Sequence, residues 1–93
     1  MLFFSTNKIQ QLIIDSKIIL NALGMRCPDT VMMLRKNIRT IQTGENLLLI
    51  TDDTTTIREI PMFCEFLNHS LINKYIKDIP YYFLIKKGNI NIL

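Results

Sequence analysis

The stretch "NLLLITD", residues 46–52, constrains this chain more than any other. Its apolar run is unbroken, and it is far too short to cross a bilayer, which takes about 20 apolar residues. A run of this kind predicts a strand in the middle of a sheet. The remaining segments must supply the flanking strands and the helices that pack on them. The chain has 93 residues, of which 48% are hydrophobic and 20% charged. That balance suits one folded domain and argues against disorder. The reading therefore treats 1–93 as a single domain with a core over about 17–88, a lead-in over 1–15 and a tail over 89–93.

"KIILNAL", 17–23, is rich in Ile and Leu and stops at Gly24, which predicts a strand. In 28–42, Val31, Leu34, Ile38 and Ile41 recur at three- and four-residue steps, forming one apolar helical stripe. Gly44 reads as the stop of that helix. A second helix starts in "DDTTTIREI". Asp53 or a following Thr is its cap, Thr56 and Glu59 have capping-box spacing, and Ile57, Ile60, Cys64 and Leu67 form its buried face. Pro61 is expected to kink or divide it. "LINKYIKDI", 71–79, and "YYFLIKK", 81–87, read as two further strands, while "NKIQQLIID" in the lead-in is worth one or two helical turns. The predicted fold class is α/β (α+β): a two-layer sandwich of order βαβαββ, with two helices on one face of a four-stranded mixed sheet.

Net charge is +3, which fits an acidic protein partner or a nucleic acid. No segment is long enough for a membrane span, and "MLFFSTNK" lacks the basic leader of a secretory signal. Cys27 and Cys64 are too far apart for a CxxC redox pair, and with His69 they do not complete a four-ligand zinc site. Free thiols in a reducing cytoplasm are expected, with no metal and no cofactor.

The chemistry concentrates at "GMRCPDTVMMLRK", 24–36. Cys27 stands as a helix N-cap with Pro28 as the first helical residue, where a missing N–H costs nothing. Open amides of Asp29, Thr30 and Val31 then favour thiolate over thiol, as does the neighbouring cation Arg26. Asp29 opposes them, so the expectation is a moderately lowered thiol pKa. The bland alternative is a small residue at a loop-to-helix junction. A hydrolase cysteine needs a nearby base, and the single histidine, His69, reads as a solvated residue near a helix end. Cys64, on an apolar stripe, reads as inert core. What a lone thiolate can do is carry a group or sense an oxidant. Met32, Arg35, Lys36 and Arg39 lie on the outward flank of the first helix, with Met33 also pointing away from the core. Met62, Glu65 and Phe66 fall outside the stripe of the second. Of these, Met32, Arg35, Lys36, Arg39 and Phe66 are the candidate partner-binding residues, facing an acidic partner. Asp52 and Asp53 read as helix capping ahead of a metal pair. The tyrosines of "YYFLIKK" read as sheet packing ahead of base stacking.

"ALGMRCPDTVMMLRK", "TGENLLLITDDTTTIREIPMFCEFLNHSL" and "YYFLIKKG" resemble the TusA (SirA-like) family of sulfur carriers over roughly 18–88. The resemblance implies that Cys27 accepts sulfur as a persulfide from a cysteine desulfurase, with Pro28, Arg26 and Asp29 supporting it. It further implies passage to a sulfur-relay acceptor complex, ultimately for 2-thiolation of the wobble uridine in certain transfer RNAs. The protein would be a covalent carrier rather than a stand-alone catalyst, with no membrane and no direct nucleic-acid contact. One departure is plain: the family's Cys-Pro-x-Pro carries Thr30 in place of the second proline, a residue whose hydroxyl is expected to bond locally. The alternatives are a small basic RNA-binding module using Lys86 and Lys87, and a thiol redox sensor.

Overall fold

The computed structural model describes residues 2–89, with side chains from residue 8. Its elements are α1 (Leu2–Ile14), β1 (Ile18–Ala22), α2 (Asp29–Ile38), β2 (Asn46–Thr51), α3 (Thr56–Phe66), β3 (Ser70–Tyr75) and β4 (Tyr81–Lys86). The strands form one mixed sheet in the order β1-β2-β4-β3. β2 pairs in parallel with β1 and antiparallel with β4, and β4 pairs antiparallel with β3. The expected βαβαββ order is present. The apolar run of β2 lies inside the sheet, with Leu47, Leu48 and Leu49 all fully buried.

Side chains along a strand alternate between its faces, so this run feeds two cores. Leu47 and Leu49 join Leu20, Ala22, Phe83 and Ile85 beneath α2 and α3, which contribute Leu34, Ile38, Ile60, Phe63 and Cys64. Leu48 points the other way and meets Leu84 and Leu12. Leu12 belongs to α1, so the lead-in is a 13-residue helix and not one or two turns. It adds partial cover to the face that the two-helix layer leaves open. The Lys17 N–H donates to the Asn46 carbonyl (2.7 Å) and Asn46 Nδ2 to the Asp15 carbonyl (2.9 Å), fastening the end of α1 to the start of β2.

Four local expectations are corrected. α2 ends at Ile38 with Arg39 as its C-cap, five residues before Gly44. Gly44 serves the turn into β2, at φ 92°, and its N–H donates to the Lys87 carbonyl (2.8 Å). α3 runs through Pro61 as one helix, so the expected division does not occur. The capping box does not form: Thr55 is the N-cap, without a side-chain bond, and Thr56 is buried. The expected strand over 71–79 is the shorter β3, with a register shift between Leu71 and Asn73. The tail lies, from residue 90 onward, outside the described residues.

α3 closes with Asn68 at φ 63° and the His69 N–H donating to the Cys64 carbonyl (2.8 Å). This left-handed stop turns the chain back under the helix and carries His69 inward, to 7% exposure. His69 is therefore a buried residue and not a solvated one. Its Nδ1 accepts the Gly88 N–H at 2.9 Å, and its ring lies 5.8 Å from that of Phe63. Burial and the nearby Lys87 ammonium hold its pKa below the ordinary value. A depressed histidine stabilises the fold above its unfolded pKa of about 6.5, and that contribution is lost as pH falls through the lower folded value. Urea midpoints recorded downward from about pH 7.5 should therefore fall. The fall should be shallower in His69→Asn, which keeps an acceptor for Gly88 without a titrating ring.

Candidate functional site

β1 and β2 are parallel neighbours with Ala22 opposite Thr51, so their C-terminal ends leave the sheet side by side. In open α/β sheets this end of parallel strands is where ligands bind. The loop after β1 carries Cys27, and the loop after β2 carries Asp52 and Asp53. The two aspartates hold the cysteine loop. Asp52 Oδ1 accepts the Gly24 N–H (3.0 Å) and Arg26 Nη1 (2.9 Å). Asp53 Oδ2 accepts the Cys27 N–H (2.9 Å), and its Oδ1 accepts the Thr55 N–H (3.1 Å). Gly24 takes φ 85°, a turn that a side chain would strain.

Amide and guanidinium donors hold both carboxyls below the usual range. For Asp52 the leading cause is the Gly24 amide, then Arg26. Burial pushes Asp53 up, but the Cys27 and Thr55 amides more than offset it. The pair thus does more than cap a helix: it joins two loops 26 to 28 residues apart in sequence.

The sulfur is half-buried. Its nearest polar partner comes from α3: Cys27 Sγ donates to Glu59 Oε1 at 2.7 Å. The thiol pKa is raised, not lowered as the sequence suggests. The Glu59 hydrogen bond is the largest cause, followed by burial and the Glu59 charge, while the Thr55 hydroxyl works in the opposite sense. Arg26 does not relieve this, because its guanidinium is engaged by Asp52 and by the Met25 carbonyl (2.9 Å). Pro28 is the N-cap of α2, not its first helical residue. Asp29 occupies that first position, exposed, and its N–H donates back to the Arg26 carbonyl (2.8 Å). Thr30 is fully buried, and its Oγ1 has no partner among the described residues, so the expected local bond is not made.

Met32, Arg35, Lys36 and Arg39 are all exposed along α2, and Phe66 is exposed at the end of α3. The largest apolar exposures among them are Met32 at 61% and Phe66 at 86%. Between α2 and α3 runs an open groove of about 900 Å³. Arg35 and Phe66 line it together with Val31, Arg58, Glu59 and Met62. Lys36 and Arg39 are not part of that lining. Met33 packs against the core instead of pointing away. Cys64 is buried, with its pKa pushed up to about 11 by burial. Tyr81 is buried in the sheet core, as sheet packing requires. Glu59 escaped the sequence reading because its spacing from Thr56 suggested a capping box. Only the packing of α3 beside the β1–α2 loop places it on the sulfur.

The half-buried thiol thus stands at a strand-to-helix junction, its loop held by carboxylates from the neighbouring loop and its sulfur hydrogen-bonded to Glu59, which lines the groove. The family model for sulfurtransferase TusA matches residues 18–87. The chain belongs to this sulfurtransferase family, and membership supports a sulfur-carrier role. Among solved structures, it is similar to the SirA-like protein from Desulfitobacterium hafniense. The TM-score is 0.64 at 20% identity, with 77% of this chain and 99% of that chain covered. That likeness establishes the shared fold. No helix among the described residues is long and apolar enough to cross a membrane.

Two outcomes follow for the thiols and their support. Iodoacetamide alkylation of Cys27 should titrate with a midpoint above that of an unhindered cysteine peptide, about 8.5, while Cys64 stays unmodified until the fold is opened with urea. Asp53→Ala strands the buried-side amides of Cys27 and Thr55. It should lower unfolding stability by about 2 kcal/mol in urea titrations.

Proposed function

We propose that this protein is a sulfur carrier that receives a sulfane sulfur on Cys27 from a cysteine desulfurase. It passes that sulfur to a sulfur-relay acceptor complex, ultimately for 2-thiolation of the wobble uridine of transfer RNA, in the cytoplasm. The observation that carries the reading is the contrast between the two thiols. Cys27 is half-exposed at a loop pinned by Asp52 and Asp53, and Cys64 is sealed in the core. Family membership supplies the chemistry that such a thiol performs.

In the transfer, Cys27 Sγ attacks the outer sulfur of the donor's persulfide. The new Cys27 S–S bond forms as the donor's S–S bond breaks, and the donor cysteine leaves as a thiol once protonated. One sulfane sulfur changes hands and nothing is oxidised overall. Delivery repeats the step with an acceptor thiol as the attacking group. Pro28, Arg26 and Asp29 act as supporting residues through the loop: Pro28 caps α2, Arg26 anchors to Asp52, and Asp29 begins the helix. Met32, Arg35, Lys36, Arg39 and Phe66 form the face that meets partners. Exposed Met and Phe provide adaptable apolar contact, and the three cations favour an acidic surface.

Incubation of the full chain with a cysteine desulfurase and cysteine should add the mass of one sulfur atom, removable by dithiothreitol. Cys27→Ser should add none while keeping the wild-type circular dichroism spectrum. Wild-type protein that gains no sulfur, although its Cys27 still alkylates, would remove the reading.

A further inference from the structure

Among the described residues near the reacting atom, one charged side chain has no other hydrogen bond or ion pair to account for its position. Glu59 leaves α3 and places Oε1 2.7 Å from Cys27 Sγ. It is half-buried, and it also lines the groove between α2 and α3. The other acidic groups of the loop are occupied by backbone amides or turned outward: Asp53 holds Cys27 and Thr55, Asp52 holds Gly24 and Arg26, and Asp29 is exposed. Among the described residues, Glu59 alone accepts the thiol hydrogen bond, and it also lines the groove.

Resting on the carrier reading above, we propose that Glu59 is a catalytic acid–base residue of sulfur transfer, taking the Cys27 proton and returning it to the departing donor sulfur. The step balances. Cys27–SH and R–S–S⁻ give Cys27–S–S⁻ and R–SH. The Cys27 proton moves to the Glu59 carboxylate as Sγ bonds to the outer sulfur. It then moves from the Glu59 carboxyl to the inner sulfur as the donor's S–S bond breaks. Glu59 ends as it began, and no oxidant or reductant enters.

The chemistry explains why a carboxylate stands where a cation would favour free thiolate. The resting thiol stays protonated and is a poor target for stray oxidants, since the thiolate is the reactive form. It becomes nucleophilic only when an acceptor for its proton and an electrophilic sulfur are present together. A base within hydrogen-bond reach of the proton it removes meets the geometric requirement for such a role. The remaining groups that act on the sulfur are the Thr55 hydroxyl from α3 and Asp53 from the preceding loop. Thr55 carries no titrating proton in the neutral range, and Asp53 is fixed by its two amides.

The test is single-turnover loading of the full chain by glutathione persulfide, followed by intact mass across neutral pH, for wild type, Glu59→Gln and Glu59→Asp. Alkylation of buried Cys64 serves as the check on folding. Loading of Glu59→Gln should fall roughly a hundredfold at neutral pH, the low end of what a positioned base contributes. Its rate should then climb with pH in step with the thiolate fraction, whereas the wild-type rate stays nearly flat. Glu59→Asp should recover part of the rate and the flat profile. Its shorter carboxylate still accepts the proton, so it also carries the test should Cys64 become reactive in Glu59→Gln. Loading as fast as wild type in both variants, with the same pH dependence, would overturn the role and leave the carrier reading standing. Failure of wild type to load would instead remove the carrier reading beneath it.

Discussion

The hold of Asp52 and Asp53 on the loop from Gly24 to Cys27 is the interaction on which the site depends. Neither aspartate could reach that loop unless β1 and β2 lay parallel and in register at their ends. That register in turn follows from burying an uninterrupted apolar strand between two neighbours. A short run of leucines thus fixes the sheet centre, the sheet centre aligns two loops, and two carboxylates bind one loop to the other. The exposed ion pair of Arg26 with Asp52 adds little by itself, as surface pairs do. The amide bonds matter more, because the donors they satisfy belong to the turn that presents the sulfur.

The protonation of the thiol is decided by its contact with Glu59. The N-terminus of α2 offers about half a positive charge spread over its first turn. Against it, Glu59 Oε1 accepts the thiol hydrogen bond at 2.7 Å. That bond is the largest cause of the raised pKa, with burial next and the Glu59 charge third. The same arrangement links the sulfur to the groove, since Glu59 belongs to both. The proposed docking face and the proposed proton transfer at Cys27 would therefore share one side chain.

Much of the framework was legible in the sequence because it rests on periodicity. The β2 run, the stripe from Val31 to Ile41 and the order of elements all follow from local spacing. The site was legible in part. Cys27 stands out by its proline neighbour, and the exposed flank of α2 follows from the helical phase. What escaped needs three dimensions. The spacing of Thr56 and Glu59 suited a capping box, yet the helix is capped one residue earlier, at Thr55, and Glu59 bonds the sulfur instead. Arg26 neighbours Cys27 in sequence but is drawn off by an aspartate from another loop. Met33 and His69 are pulled inward by tertiary packing, one against the core beneath α2 and the other by the left-handed turn at Asn68. α1 was underread because its pattern is weak. Its partners, Leu48 and Leu84, lie on the sheet face that the two-helix layer leaves open.

The central claim is that the sulfur rides on Cys27 and on no other atom of the chain. Its most direct measurement is peptide mapping after loading with radioactive sulfur from labelled cysteine by a desulfurase, with thiol groups blocked at once. Label confined to the peptide containing Cys27, and released by dithiothreitol, is the predicted result. Label on the Cys64 peptide, or label that reductant cannot release, would contradict the account.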